Sequence, residues 1–461
     1  MEENKNIQPL EVERVEISKD EGQPKKTMGN TNLIVLIACA FVFVLIVALI
    51  IALGGNNGRN NSDGHGDSNH GSGNKLPADD NENSDDQTNV GTGSQFSEGL
   101  TYVSKGGGKC YVSGIGSCKD TNVKIPSTSP DGDRVVGIDE DAFRWCESIV
   151  SVTIPDSVLD IKDRAFESCS SLTNVNLGNG VKNIGYQAFY DCRSLTEIII
   201  PDSVEAIYED TFCSCSSLAS VVIGNGVLSI GDRAFYDCPS LESIVIGYSV
   251  TSIGESAFEG CKAREIVIPD SVQYIKQFAF YGCSALKEVV IGDGVTGLGM
   301  DAFAACSVLE KVTMGKSITL IEESAFKSCK SLKEIELPGS LQKIYAGAFK
   351  GCSSIENLVI PNSVTLIEDE VFMNCTSLTT VRIGTGLKNL LNHTFENCTS
   401  LESVYIPKNM SDVDCGAFTG CTSLRDIYYS GSFDDWDYAF SCPYFECEKL
   451  ANVTVHYNYV P

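Results

Sequence analysis

The sequence predicts a solenoid of the α/β class, with parallel strands and one strand per coil. Three observations predict it. A unit of about 23 residues is written out thirteen times. Each unit carries a single apolar run, which its own coil cannot cover. The segments before and after the repeats depart from the unit, as the ends of a stacked array must. A repeat period of roughly 20–50 residues marks such an array.

One copy runs from Ile184 to Val204 and reads I-G-Y-Q-A-F-Y-D-C-R-S-L-T-E-I-I-I-P-D-S-V. Its marker is A-F-x-x-C. The marker Phe recurs at Phe143, Phe166, Phe189, Phe212, Phe235, Phe258, Phe280, Phe303, Phe326, Phe349, Phe372, Phe395 and Phe418. Every interval is 23 residues except Phe258 to Phe280, which is 22. Leu195, Ile198 and Ile200 have the spacing of a leucine-rich strand, and all three are expected to face inward. Phe189 fills the return side, and Cys192 is a small buried hydrophobe. Pro201 ends the strand, because it has no N–H for the ladder. At about 4.8 Å per strand, the array spans roughly 60 Å.

The 22-residue interval has a local cause. Four residues separate Cys261 from Ile266, where five separate Cys192 from Ile198. The usual Leu is missing, and Ala263 lies nearest its place. A loosening or bend is expected there. Thr211, Thr394 and Val371 replace the marker Ala, a drift compatible with packing.

The chain has 20 cysteines, of which thirteen, Cys146 to Cys421, are the repeat cysteines. They read as a packed thiol ladder. The alternative is disulfides between coils, which the spacing permits, since bridged Cα atoms lie about 4.4–6.8 Å apart. An odd number of side chains pointing in parallel favours the ladder. Cys110 with Cys118, and Cys442 with Cys447, are better disulfide candidates. No C-x-x-C stands beside a second pair, so zinc is not expected.

Residues 1–31 are polar, without apolar periodicity, and read as a disordered cytoplasmic tail. Within 32–53, the stretch Leu33 to Leu53 is uncharged. As a helix it is about 31 Å long, which matches the roughly 30 Å hydrocarbon core. It is too long, and too far from the N-terminus, for a secretory signal. Lys25 and Lys26 precede it, which places the N-terminus in the cytoplasm and the repeats outside. Residues 54–95 form a Gly/Asn/Asp/Ser linker, roughly 35–40 Å end to end, that holds the array off the membrane. His65 and His70 near Asp63 and Asp67 make a poor metal site on such a segment. Residues 96–134 read as an N-terminal cap built on a hairpin of Leu100–Val103 and Cys110–Val112. The array covers 135–429. Residues 430–461 form the C-terminal cap, with Trp436 over the open core and Val453, Val455 and Tyr457 in a final strand.

Hydrophobic residues make up 43% of the chain, enough for a continuous core, and the net charge is −27. That charge excludes nucleic acid as a partner, since a phosphate backbone needs a basic stripe. Strand side chains alternate, so residues flanking each central apolar position face outward. In five successive coils the outward residue is Ile199, Val222, Val245, Val267 and Val290. Beside this apolar line stand Glu197, Glu265 and Glu288. The line is a candidate protein-binding face; the alternative is that Val and Ile merely suit a pleated strand. Tyr405 and Tyr428 form a second candidate near the end, because Tyr favours interfaces.

The units I-x-x-x-A-F-x-x-C-x-S-L-x-x-V-x-I-P-x-S-V resemble the BspA-like leucine-rich repeats of microbial surface proteins. The resemblance covers about Phe96 to Pro461. It extends to the ends, Gly99-Leu100-x-Tyr102 leading to Ile125-Pro126-Ser127, and Tyr428-Tyr429-x-Gly431 leading through Trp436 to Val455-x-Tyr457-Asn458. It implies a leucine-rich-repeat solenoid on a cell surface that binds host, matrix or other-cell proteins. Asn374, Asn397, Asn409 and Asn452 stand in glycosylation sequons, which matter only in a host that uses them.

Membrane-anchored adhesion or protein interaction is therefore the expected function, and a structural surface spacer without a specific ligand is the alternative. The expected partner is an extracellular protein or cell-surface ligand. No cofactor is expected. An enzyme is not expected either. The four His are His65, His70, His393 and His456, and no G-x-S-x-G, H-E-x-x-H or phosphate loop occurs.

Overall fold

The computed structural model describes residues 95–439 and 453–460. The expected tail, membrane span (residues 33–53) and nearly all of the linker lie outside the described residues, as do Cys442 and Cys447. Among the described residues, no helix is long and apolar enough to cross a membrane.

The array is a parallel-strand β-solenoid of about fourteen turns. Each coil contributes two strands. In one coil the first is Glu197–Ile200, in which Ile198 and Ile200 are buried while Glu197 and Ile199 are exposed. It stops at Pro201, as the missing N–H requires. The second strand is the pair Ala206–Ile207. Both strands align in register with their equivalents in the next coil: Ile199 with Val222, and Ile207 with Ile230.

The expected α/β class is corrected to β. The described residues hold one short α-helix, Phe433–Ala439, and one 3-10 turn, Cys415–Phe418. The return segment fails to become helical because two residues in most coils adopt left-handed backbone. In the coil of Phe189 they are Gln187 (φ 54°) and Asp191 (φ 59°). A left-handed residue interrupts a right-handed helix. The marker segment therefore runs as successive tight turns, with the Ala188 amide on the Gly185 carbonyl and the Cys192 amide on the Phe189 carbonyl. The Phe189 amide instead donates to the Thr211 carbonyl of the following coil at 2.9 Å. Amides committed to the next coil cannot also form a helical ladder.

The marker rings form one column from Phe143 to Phe418. Successive centroids are 5.0 to 5.9 Å apart, with planes within 7° of parallel. The cysteines line a second column of free thiols. Each typically donates to the carbonyl of the preceding coil's marker Phe, as Cys169 does to Phe143 at 3.1 Å and Cys421 to Phe395 at 3.2 Å. Burial pushes the Cys192 and Cys215 thiols up, and that of Cys169 to about 12. Where Thr replaces the marker Ala, its buried hydroxyl is satisfied locally: Thr211 donates to the Tyr208 carbonyl at 2.8 Å and Thr394 to Leu391 at 2.7 Å.

The two sides of the solenoid differ in continuity. The short second strands, led by the hairpin Thr101–Gly106 and Lys109–Gly114, make one 13-stranded sheet ending at Leu366–Ile367, followed by a separate pair, Asn389–Leu390 with Asp412–Val413. Three glycines with positive φ, Gly106, Gly107 and Gly108, turn that hairpin. The first strands fall into three sheets: six strands from Asn122–Lys124 to Ser243–Val245, four from Glu265–Ile268 to Glu334–Ile335, and five from Asn357–Val359 to Thr454–His456. The first break falls at the short coil. The missing residue lies between Cys261 and the strand, so Ser243–Val245 and Glu265–Ile268 are not hydrogen-bonded. On the opposite side, Ile253 and Ile275 stay in register. The expected loosening is thus confined to one side.

Cys110 and Cys118 are both buried free thiols, so the candidate disulfide between them is not formed. Cys110 instead points its thiol at the Asp133 and Arg134 carbonyls, 3.7 Å away. At the other end, Trp436 packs against the core beside the fully buried Tyr429, with ring centroids 5.3 Å apart. Val453, Val455 and Tyr457 also pack there, and Val455 aligns with Ile427 in the final strand pair.

Candidate protein-binding face

The outward rows lie where strand alternation puts them. Ile199 is 45% exposed and Val267 38%, while Val222, Val245 and Val290 are half-buried. Glu197 and Glu265 are exposed beside them. Glu288 is half-buried and pairs with Lys311 at 3.0 Å. The expected five-coil line is corrected to two pieces. Ile199, Val222 and Val245 are aligned in the six-stranded sheet, and Val267 and Val290 in the four-stranded one. The short coil separates them, because its deletion removes the strand pairing that would join Val245 to Val267.

Tyr405 and Tyr428 are brought together in a longer assembly. Their rings stack at 4.7 Å and 10°. The Arg382 guanidinium lies 3.8 Å over the Tyr405 ring, and the His456 ring stacks on Tyr428 at 4.6 Å. Tyr459 leans on both tyrosines, at 5.3 and 5.2 Å. His456 is held by Asp426, with Nε2 2.8 Å from the carboxylate. Four consecutive strands thus carry one stack of Arg, Tyr, Tyr and His on the outer face. Parallel register makes the stack: Arg382 pairs with Tyr405, Tyr405 with Tyr428, and Tyr428 with His456.

Sequence reasoning found the two tyrosines and missed Arg382, His456 and Tyr459 as their partners. The signal for the first two was present, since both occupy the same repeat position as the tyrosines. Tyr459 carried no such signal. It reaches the stack after a turn at Asn458, whose φ is 55°. Burial and the neighbouring Asp426, Tyr405 and Tyr459 push the Tyr428 phenol up. It is therefore protonated at neutral pH and able to donate a hydrogen bond. The stack and the apolar rows are equipped for contact and hydrogen bonding rather than for making or breaking bonds. Among the described residues, no three His, Cys, Asp or Glu are grouped to hold a metal ion.

The profile of the BspA type leucine rich repeat region, with 6 copies, matches residues 136–264, 251–375 and 342–459. The chain belongs to the BspA-type leucine-rich repeat family. Among solved structures, it is similar to a leucine-rich repeat protein from Bacteroides ovatus, with 25% identity and a TM-score of 0.58 over 78% of this chain and 98% of that one. It is also similar to a leucine rich cell surface protein from Faecalibacterium prausnitzii, with 27% identity and a TM-score of 0.42 over 76% of this chain and 97% of that one. A comparison with curated proteins finds no match. No enzymatic family is indicated.

Proposed function

We propose that this BspA-type protein is anchored in a membrane by residues 33–53 and displays its solenoid at the cell surface, where it binds an extracellular protein of host, matrix or neighbouring cell. The observation that carries the reading is the outward row Ile199, Val222 and Val245, in register on three adjacent strands and bordered by Glu197. Aligned apolar side chains on a solvated sheet favour a protein partner with a complementary apolar ridge. The uncharged stretch Leu33–Leu53 and the linker after it support display away from the membrane.

The test is binding of the full chain, solubilised in mild detergent, to a panel of extracellular-matrix proteins and whole cells at low and physiological salt. Saturable binding weakened at least tenfold by Val245→Glu, and by Val267→Glu on the other piece, supports the reading. Tyr405→Ser with Tyr428→Ser tests the C-terminal stack separately. Binding that survives all of these places the ligand elsewhere. No binding to any member of the panel overturns the adhesive reading in favour of a surface spacer.

A further inference from the structure

The thiol ladder has one irregular rung. In eleven coils, the cysteine thiol donates to the marker Phe carbonyl of the coil before it. In the short coil, the Cys261 Sγ instead lies 3.1 Å from the Cys283 Sγ of the next coil. The deletion explains the change. The chain after Cys261 reaches its strand one residue early, and Lys262 already donates its amide to the Leu241 carbonyl at 2.8 Å. Ala263 sits fully buried where other coils place Leu. Cys261 is drawn across toward Cys283, and both side chains are fully buried among apolar neighbours.

We propose that Cys261 and Cys283 close into a disulfide that ties the short coil covalently to the coil after it. Three features of the structure converge on this pair. The sulfurs are nearer than ordinary non-bonded contact, and closing to a bond of about 2.05 Å takes a movement of about 1 Å. Adjacent coils lie at a spacing that bridged Cα atoms tolerate, about 4.4–6.8 Å. The site also borders the one sheet break caused by the deletion, where Ser243–Val245 and Glu265–Ile268 lack a ladder. Local opening there gives a small reagent access to sulfurs that are otherwise sealed.

The chemistry assigns the two sulfurs different roles. The contact with Cys283 pulls the Cys261 thiol below the ordinary thiol value; burial opposes it and the Ala263 backbone adds to it. Burial, and then its bond to Cys261, pushes Cys283 up. Cys261, whose following strand is the unpaired edge at the sheet break, is the sulfur that local opening exposes first, and it is the first nucleophile. The oxidant is a small-molecule disulfide of the glutathione class. The Cys261 thiolate attacks one of its sulfurs, forming a mixed disulfide and releasing one small thiolate. Cys283 loses its proton and attacks the Cys261 sulfur, releasing the second small thiolate. Two protein thiols are oxidised by two electrons, their two protons go to solvent or the leaving thiolates, and the reagent is reduced to two thiols. The tie joins the short coil to the coil whose strand, Glu288–Ile291, already pairs with Glu265–Ile268, and so braces the short coil from the far side of the sheet break.

The experiment is a disulfide map of the full chain after incubation with oxidised glutathione. Free thiols are alkylated in denaturant, and the chain is cut with trypsin without reduction. The expected product links the peptide ending at Lys262 to Gln277–Lys287, several-fold more abundant than any other pair of repeat cysteines. Cys238 lies on the same peptide as Cys261, so the link must persist in Cys238→Ala and vanish in Cys261→Ala. If Cys261→Ala does not fold, fragment ions of the wild-type linked peptide assign the sulfur instead. Recovery of Cys261 and Cys283 in alkylated form, or links spread evenly over neighbouring repeat cysteines, overturns the proposal.

Discussion

Truncating Phe212 to alanine should unfold part of the array and spare the rest, and the short coil should mark the boundary. Phe212 is fully buried, with rings stacked on both sides at 5.3 Å. Losing a buried Phe side chain costs about 3–5 kcal/mol. Each lost stacking contact adds about 1 kcal/mol. A coil of about 23 residues carries on the order of 1–3 kcal/mol of net stability, so the loss exceeds the share of the coil that suffers it. In a solenoid the deficit passes to neighbours through their interfaces. An ordinary interface on this side has three or four aligned strand residues, as between Ser220–Ile223 and Ser243–Val245. The interface at the short coil lacks this ladder, which weakens coupling by roughly 2–3 kcal/mol for about three hydrogen bonds. Native-state hydrogen exchange of the full chain, read by mass spectrometry, should show protection lost from the coils of residues 122–245 and kept beyond Glu265. The mirror substitution, Phe326→Ala, should deprotect the coils of the four-stranded sheet, Glu265 to Ile335, and leave those before Val245 protected. Loss that passes undiminished through the short coil in either variant would refute the reasoning. Inserting one Leu between Ala263 and Arg264, which restores the 23-residue interval, should let the loss spread.

Three further outcomes follow from named contacts. Trp145 is 63% exposed and sits at φ 60°, a place that other coils fill with residues such as Gly260, Gly282 and Gly351; Trp145→Gly should raise the thermal midpoint in differential scanning fluorimetry by relieving about 1 kcal/mol of strain, and a lower midpoint would mean that the ring stacked with Arg144 stabilises more than the strain costs. Tyr111 donates to the Asp160 carboxylate at 2.7 Å, so Tyr111→Phe should cost about 1 kcal/mol in urea unfolding, discounted for partial exposure, with no loss placing the pair among neutral surface contacts. Burial and Asp160 raise the Tyr111 phenol to about 12, while bonds from Tyr111 and Asn183, with Lys162 nearby, hold Asp160 below the usual carboxylate value against burial; the pair's stabilisation should hold at neutral pH, drain as pH falls below the unfolded carboxylate value and through the lowered folded one, and drain again as pH rises from the unfolded tyrosine value through the raised folded one, so a Tyr111→Phe difference that is flat from acid to alkaline pH would sink this account.

Much of this was legible because inward positions obey simple rules. The regular Phe interval gave the coil and its stacking, Pro201 marked the strand end, and the deletion before Ile266 marked the break. The return side was not legible. Its left-handed turns are made largely by ordinary residues such as Gln187, Asp191 and Arg233 rather than by Gly, so composition did not announce them. The second strand of each coil is only two residues, too short for a period to register. The outward rows were legible as rows, since alternation fixes which side chains emerge. Their partnerships were not, because stacking of Arg382 on Tyr405, or of His456 on Tyr428, depends on register between coils that only the fold supplies.

The separation between core and surface has a functional consequence. Inward residues repeat because each must fill the same slot between two copies of itself. Outward residues are free of that demand: Thr153, Asn176, Ile199 and Tyr428 occupy equivalent positions without disturbing the ladder. Each touches mainly the residues about one repeat before and after it. A binding surface on such a fold is therefore written as a row, and changing one coil alters only its two neighbours. The short coil acts on this logic by cutting the row, leaving Ile199, Val222 and Val245 as one contact patch and Val267 with Val290 as another. A partner that engages both must bridge a place where strand pairing is absent. A covalent tie between Cys261 and Cys283 lies wholly within the second patch, whose strands are already paired, so it stiffens Val267 and Val290 as one unit and leaves the spacing of the two patches free.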